Sequence, residues 1–359
     1  MKVKKTHYQL NIPLGIDKEF EYLFSSKDSY TYTERSSIKL TKCFVSNTGV
    51  IIHKGFIPRY SAENLIGLKD ETFYLRHWFK ATEQKMVCNY GNSLNAFRLE
   101  DKKEYFSIHT PWFGYFTWIT SYLPRLKQAL VEHPNAYLIY PMEWDEIPYV
   151  VDSLKLFDGI NIQKIPKDHH VFVKNYILIP CRPWTSFFDS GILNNIRKFF
   201  HGKIDLINVE RPKEMVFLSR QLCKRRKLIN EEDIYPLLQR FNIKTVIMEE
   251  LSFIEQVNLM YTSSLVISIH GAGLTNINFL NSGSTVIELT PKLNDFNKFR
   301  FPYWRMSELL KLNYYCIFCD KEADEVYEDE YDSNLLIDLK KMEEVLEMAI
   351  LNLKVNIFR

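Results

Sequence analysis

The chain has 359 residues, 46% of them hydrophobic and 25% charged, with a formal net charge of +2. This composition excludes a disordered chain, and the length exceeds one ordinary core, so two domains are expected. The near-neutral balance offers no global field for nucleic acid, which leaves anion binding to local sites, and no run approaches the roughly 20 apolar residues of a membrane span.

Residues 1 to 35 read as polar and turn-rich. The start MKVKKTHYQLNIP lacks the apolar centre of a signal peptide, so a cytoplasmic protein is expected, with Lys2, Lys4 and Lys5 able to touch an anionic membrane face. Ile38 to Ile57 predicts two strands about the turn Asn47-Thr48-Gly49, and Phe97 to Ile108 contains a further strand. From Trp112 to Leu130 apolar positions recur at helical spacing around Pro124, giving two short helices or one kinked helix. A strand at Ala136 to Tyr140, a helix at Ile147 to Phe157, a strand at Tyr176 to Ile179 and a helix from Gly191 to Phe200 follow.

The polar, basic connection from Gly202 to Lys213 is the expected domain boundary. Beyond it strands (Met215 to Leu218, Lys244 to Met248) alternate with helices (Glu231 to Phe241, Phe253 to Tyr261), the signature of a parallel sheet covered on both faces. Next come a strand Leu265 to Ile269, the turn His270-Gly271-Ala272-Gly273, a helix Leu274 to Leu280 and a strand Ser284 to Leu289 that carries Glu288. Such a glycine turn leaves amides without acceptors at a helix start, where a phosphate or diphosphate binds. A strand at Tyr314 to Phe318 and an amphipathic helix at Leu335 to Leu353 complete the chain. Arg220 and the glycine turn both follow strand ends, so they are expected on one rim of the sheet, where ligands of parallel sheets sit.

Six scattered cysteines fit reduced thiols, and Cys316-x-x-Cys319 stands without a second pair in the apolar run YYCIFC, which speaks against a metal site. The turn HGAG is compatible with an oxyanion hole, but the chain has no G-x-S-x-G elbow, which argues against an esterase.

Ordered blocks then make the chain familiar. FLSR (Phe217 to Arg220), RKLINEED (Arg226 to Asp233), LSFIEQ (Leu251 to Gln256), HGAGLTN (His270 to Asn276) and VIELTP (Val286 to Pro291) resemble glycosyltransferase family 61. WITSYLPRL (Trp118 to Leu126) is similar to a further block of that family, with Thr117 where relatives commonly carry His. The family includes bacterial surface-polysaccharide enzymes, plant pentosyltransferases and eukaryotic enzymes that transfer N-acetylglucosamine to proteins. The resemblance implies the α/β architecture called GT-B, two Rossmann-like domains facing a cleft. The expected division is 1–203 for the acceptor side with its N-terminal β-hairpin, 204–333 for the nucleotide sugar, and 334–359 for a helix crossing back to the first domain. It also implies inversion at the anomeric carbon, a nucleotide-sugar donor, most simply UDP-linked, and no cofactor or obligatory metal. A glycan or lipid-linked glycan of polysaccharide, lipopolysaccharide or capsule assembly is the implied acceptor. The alternative is a catalytically silent nucleotide-sugar-binding or scaffold protein, which Thr117 permits.

On this reading Arg220, Arg226 and the amides of Gly271, Ala272 and Gly273 neutralise the departing diphosphate. Asn276 fixes the turn or contacts a phosphate, and His270 donates to diphosphate or sugar or else orders the turn. Glu288 accepts from ribose hydroxyls or caps a loop, and Asn230 with Glu231 forms an N-cap pair beside the donor site. Asp145, Glu146, Asp189 and His109 are available as general base, with Asp189 favoured. Trp112 and Trp184 are expected to stack on the acceptor, whereas Trp118 reads as core.

Overall fold

The structure is a computed structural model and describes residues 3–53, 96–110, 113–167, 169–180, 187–204, 214–322 and 327–357. The fold is mixed α/β, compatible with a Rossmann-like glycosyltransferase. The chain forms two compact units, Met1–Thr6 with Tyr32–Thr185, and His7–Thr31 with Ser186–Arg359.

The N-terminal strands β1 (Val3–Gln9) and β2 (Ser29–Arg35), with the short α1 (Glu21–Ser25) between them, pair as a two-stranded sheet where the sequence reads only turns. In β2 the alternation is short, with Tyr30 and Tyr32 buried between exposed Ser29 and Thr31. In the first unit β3 (Ile38–Ser46) and β4 (Ile51–His53) form the expected hairpin, with Gly49 at φ 86° in the turn. Further along come β5 (Ala96–Arg98), β6 (Tyr105–Ser107), β7 (Tyr137–Pro141), β8 (Asn161–Ile165) and β9 (His170–Leu178). The sheet order is β4-β3-β9-β6-β7-β8, with β5 also on β9. The β3–β9 register runs unshifted from Ile38–Leu178 to Ser46–His170, with Lys42 midway at a φ of 57°.

Pro124 does not break the helix it sits in. Trp118–Tyr122 forms a π-turn in which the Leu123 amide bonds back to Trp118, and α2 (Leu123–Glu132) takes Pro124 in its first turn. The wide turn makes room where a proline ring would otherwise meet the preceding carbonyl. The next helix is α3 (Pro148–Lys155).

The second unit is built on α4 (Ser190–His201), β10 (Glu214–Ser219), α5 (Glu231–Arg240), β11 (Lys244–Ile247), α6 (Phe253–Thr262) and β12 (Ser263–Ile269). Then follow a 3-10 helix Ala272–Phe279, β13 (Thr285–Pro291), α7 (Pro302–Leu310), β14 (Asn313–Lys321), β15 (Leu335–Leu336) and α8 (Leu339–Ile357). Strand order is β11-β10-β12-β13-β14-β15, parallel as far as β14. The chain therefore runs from β10 outward to β11 and returns past β10 to β12, which makes the gap between β10 and β12 the topological switch point.

Three expectations about the division are corrected. The boundary lies before α4 instead of after residue 203, because Leu193, Ile196 and Phe200 are buried within the second unit. Phe200 packs against Phe253 and Phe279, and buried Arg197 donates to the Leu280 carbonyl at 2.8 Å. Helix α8 packs into the core of the second unit itself. Its Met342, Val345, Leu346 and Ala349 join Phe217, Ile267, Ile287 and Ile317 in one core. The segment that joins this unit from elsewhere in the chain is N-terminal: the Leu14 amide bonds to Tyr314 O at 2.9 Å, and the Trp304 indole to Asn11 O at 2.8 Å.

Candidate functional site

Register explains what meets at the switch point. Leu218 of β10 pairs with Ser268 of β12, so Arg220 and His270 leave the sheet at the same level. Ser268 in turn pairs with Glu288 and Glu288 with Cys316. Side chains two residues apart share a face, so Glu288 lies on the face of His270, and Tyr314 on the face of Glu288. The contacts follow. His270 Nδ1 bonds to Glu288 Oε1, and the Tyr314 hydroxyl donates to Glu288 Oε2 at 2.5 Å. His270 and Glu288 are both buried, and a carboxylate only accepts, so Nδ1 carries the proton. His270 Nε2 has no partner among the described residues, which leaves it for a ligand. Tyr303 and Tyr331 flank the ring at 5.1 and 4.5 Å, and burial pushes both phenols well up.

The glycine turn is extended at Gly271, φ 167°, and needs no left-handed backbone there. What crowds a side chain at Gly271 is the arginines: a Cβ would stand 3.0 Å from Arg220 Nη1 and 3.8 Å from Arg226 Nη1. Two guanidiniums therefore converge on this turn. Its carbonyl accepts from the Tyr303 hydroxyl at 2.6 Å and the Leu274 amide at 3.0 Å. The amides of Gly271, Ala272 and Gly273 have no acceptor among the described residues, as the start of a helical turn dictates. Asn276 is 1% exposed and donates to Gly273 O at 3.1 Å and to Gln256 Oε1 at 3.2 Å. Of its two expected roles, it fixes the turn.

The arginines are placed by a second set of contacts. Arg220 gives Nε to Arg226 O at 3.1 Å, and Arg226 sits at φ 59°, a region non-glycine residues seldom occupy. Arg226 Nε reaches Asp332 at 3.0 Å and its Nη2 at 2.5 Å, while Arg225 binds the other oxygen of Asp332. The loop is stitched to residues 334–337 through Ile229 N to Leu335 O and Leu335 N to Lys227 O, both 2.8 Å. Asn230 clamps Ile337, donating to its carbonyl at 3.0 Å and accepting from its amide at 3.1 Å.

Other expected roles change. Asn230 holds the N-cap position of α5 but makes no side-chain cap, because Ile337 occupies its amide. Glu231 is buried and accepts from Ser219 Oγ at 2.5 Å and Tyr235 at 3.1 Å, so it stiffens the turn that carries Arg220. Glu288 is buried and meets His270 through one oxygen and the Tyr314 hydroxyl through the other, so in this structure it holds His270 in place. Asp189 is the N-cap of α4, accepting from Ile192 N at 3.0 Å and Tyr8 at 2.7 Å, in place of the expected free base. Trp112 and Trp184 lie outside the described residues. Trp118 is fully buried with its indole on Ser153 Oγ at 2.9 Å. The sequence reading missed Tyr303, Tyr314 and Asp332; sequence separation hides them, since they meet Gly271, Glu288 and Arg226 only through the fold.

Among the described residues no group of three or more His, Cys, Asp or Glu could hold a metal ion, and no helix is long and apolar enough to cross a membrane. Cys316 and Cys319, three apart on a strand, face opposite sides of the sheet, and burial raises both thiols, Cys319 to about 12.

Taken together, two guanidiniums and a glycine turn gather at the switch point of a parallel sheet, the place where ligands of such sheets sit. Comparison with known proteins narrows the class. Residues 115–287, a little under half of the chain, match the family model Glycosyltransferase 61, and the match supports family 61 for the region that carries the site. Curated relatives include animal proteins. The dog protein O-linked-mannose beta-1,4-N-acetylglucosaminyltransferase 2 is 33% identical over 105 residues, 27% of this chain and 18% of its own length. The same-named protein of Tetraodon nigroviridis is 28% identical over 190 residues, 46% of this chain and 32% of its own. That of Xenopus tropicalis is 33% identical over 102 residues, 28% and 18%. The chain thus spans about a fifth to a third of the relatives it matches.

Proposed function

We propose that the chain is an inverting glycosyltransferase that moves a sugar from a nucleotide diphosphate, most simply UDP, to a hydroxyl of a glycan. The observation that carries this reading is the convergence of Arg220 and Arg226 on the Gly271 turn at the switch point. In the reaction the acceptor oxygen attacks C1, the C1–oxygen bond to the diphosphate breaks, and the nucleoside diphosphate leaves with the electron pair. The acceptor proton passes to a base. Charge accumulates on the diphosphate oxygens, and fixed cations and amides stabilise it without a metal. His270, held through Nδ1 by Glu288, donates from Nε2 to that leaving group or to the sugar.

N-acetylglucosamine is the first sugar to try, because the relatives are named for its transfer. Surface-polysaccharide, lipopolysaccharide or capsule assembly, a lipid-linked acceptor and a cytoplasmic, membrane-peripheral location remain part of the proposal as the sequence suggested them. The second reading, a silent nucleotide-sugar binder, rests on Thr117, buried where the family commonly has His.

Thermal shift with UDP and UDP-sugars in chelator tests the donor reading. A ligand at ~100 times its Kd raises stability by ~2.7 kcal/mol, and Arg220→Ala should abolish the shift while the fold survives. Undiminished binding by that variant, or an absolute need for divalent metal, counts against the reading. Release of free sugar or a transferred product from UDP-sugar separates enzyme from silent binder.

A further inference from the structure

A second polar cluster lies wholly in the first unit. Beyond β6, buried His109 donates Nε2 to the Asn47 carbonyl at 2.9 Å. Asn47 Nδ2 donates to Glu143 Oε1 at 3.1 Å. Two buried atoms of this cluster have no hydrogen-bond partner, Glu143 Oε2 and His109 Nδ1. Both are acceptors. A carboxylate oxygen has no proton to give, and His109 stays neutral because burial depresses its pKa to about 3. Buried acceptors left bare are costly, and a native fold that keeps two beside one asparagine is built for a donor that comes from outside it.

The surroundings restrict that donor. The Trp144 ring stands 4.9 Å from His109 and 5.7 Å from Phe113. Phe113 is 38% exposed, stacked with Tyr149 at 6.5 Å and an interplanar angle of 18°. A partly exposed aromatic ring, joined through Trp144 to the cluster that holds the two bare acceptors, suits a ring that has C–H groups on one face and hydroxyls at its edge. An anion is excluded by the carboxylate. A cation is disfavoured because the buried Arg125 acts on His109 through its charge. A neutral sugar meets every condition.

We propose that Asn47, His109, Glu143, Trp144 and Phe113 form a subsite for a neutral pyranose ring, with Phe113 as the stacking face and Glu143 Oε2 and His109 Nδ1 as acceptors for its hydroxyls. The subsite rests on the glycosyltransferase reading only for its role, which is to hold a sugar of the acceptor glycan. The binding itself stands alone.

The test is saturation-transfer NMR of the full chain with a panel of methyl glycosides, beside thermal shift with UDP. Ring C–H signals are expected for at least one neutral glycoside. Phe113→Ala and Glu143→Gln should each weaken that binding at least tenfold while the UDP shift stays unchanged, and Phe113→Tyr should restore it. Circular dichroism checks that each variant is folded. Glycoside binding within twofold of the parent in both variants overturns the subsite, as does a panel without any binder. Loss of the UDP shift in the parent chain overturns the donor reading instead, whatever the glycosides do.

Discussion

Two arginines, one in each unit, show how little residue type says about role. Arg125 is 1% exposed, and its terminal nitrogens donate to the carbonyls of Ser107, Ile108 and Ile179 (2.8 Å for the last), where β6 and β9 end. Arg220 also follows a strand, yet it gives only Nε to a carbonyl and keeps Nη1 against Gly271. The first is absorbed by backbone groups that would otherwise be bare; the second keeps donors for something not part of the chain. The two polar clusters repeat this contrast at larger scale. The second unit gathers unmatched donors at its switch point, the first gathers unmatched acceptors around Asn47, and each asks for a ligand of opposite character.

The contrast makes four predictions, the strongest first. Arg125→Ala orphans three buried carbonyls and should cost ~3–5 kcal/mol in chemical denaturation, while folded protein still binds UDP; a loss below 1 kcal/mol would erase the distinction between the two arginines. Arg220→Ala should leave the denaturation midpoint nearly unchanged and weaken UDP by ~10- to 150-fold in calorimetry, the range for a charge-assisted hydrogen bond.

Third, the buried histidine of the first unit should make stability depend on pH. The folded pKa of His109 is depressed to about 3, against ~6.5 for an unperturbed imidazole. As pH falls through 6.5 the unfolded chain takes up this proton first, so stability present above that pH is lost progressively toward 3. Between pH 7 and 5 the loss should be on the order of 2 kcal/mol, and His109→Phe should flatten that part of the profile. An unchanged slope in the variant would show that His109 is not the group titrating. Smallest is Gly271→Ala, which pushes a methyl against the Arg220 guanidinium. That side chain can yield, so UDP affinity should fall by ~10-fold, ~1.4 kcal/mol, with little loss of stability; equal binding by the variant would mean that Arg220 and the turn do not act together.

Much of the second unit was legible because its central strands β12 and β13 are buried and its helices amphipathic, so apolar runs, helical periodicity and glycine turns mark these elements. The rim that joins Arg220 to the glycine turn follows from alternation of strand and helix alone. Less could be read where segments are short and polar. The alternation of β2 rests on two tyrosines, Tyr30 and Tyr32, in a stretch otherwise polar, and the basic stretch at Gly202 to Lys213 resembles a boundary although α4 before it already packs into the second unit. Asp189 reads as a base because a carboxylate after aromatic residues looks exposed, whereas its position before a helix makes it a cap.

By itself the sequence determined which residue types stand at the strand ends, since local pattern and turn chemistry are properties of neighbouring residues. Tertiary structure decided which of them are free to act. Glu288 is claimed by His270 and Tyr314, Glu231 by Ser219, and Arg125 by three carbonyls, all through strand register and packing between residues distant in the chain. A hydrogen bond is a statement about two groups a few ångströms apart, and only the fold sets that distance.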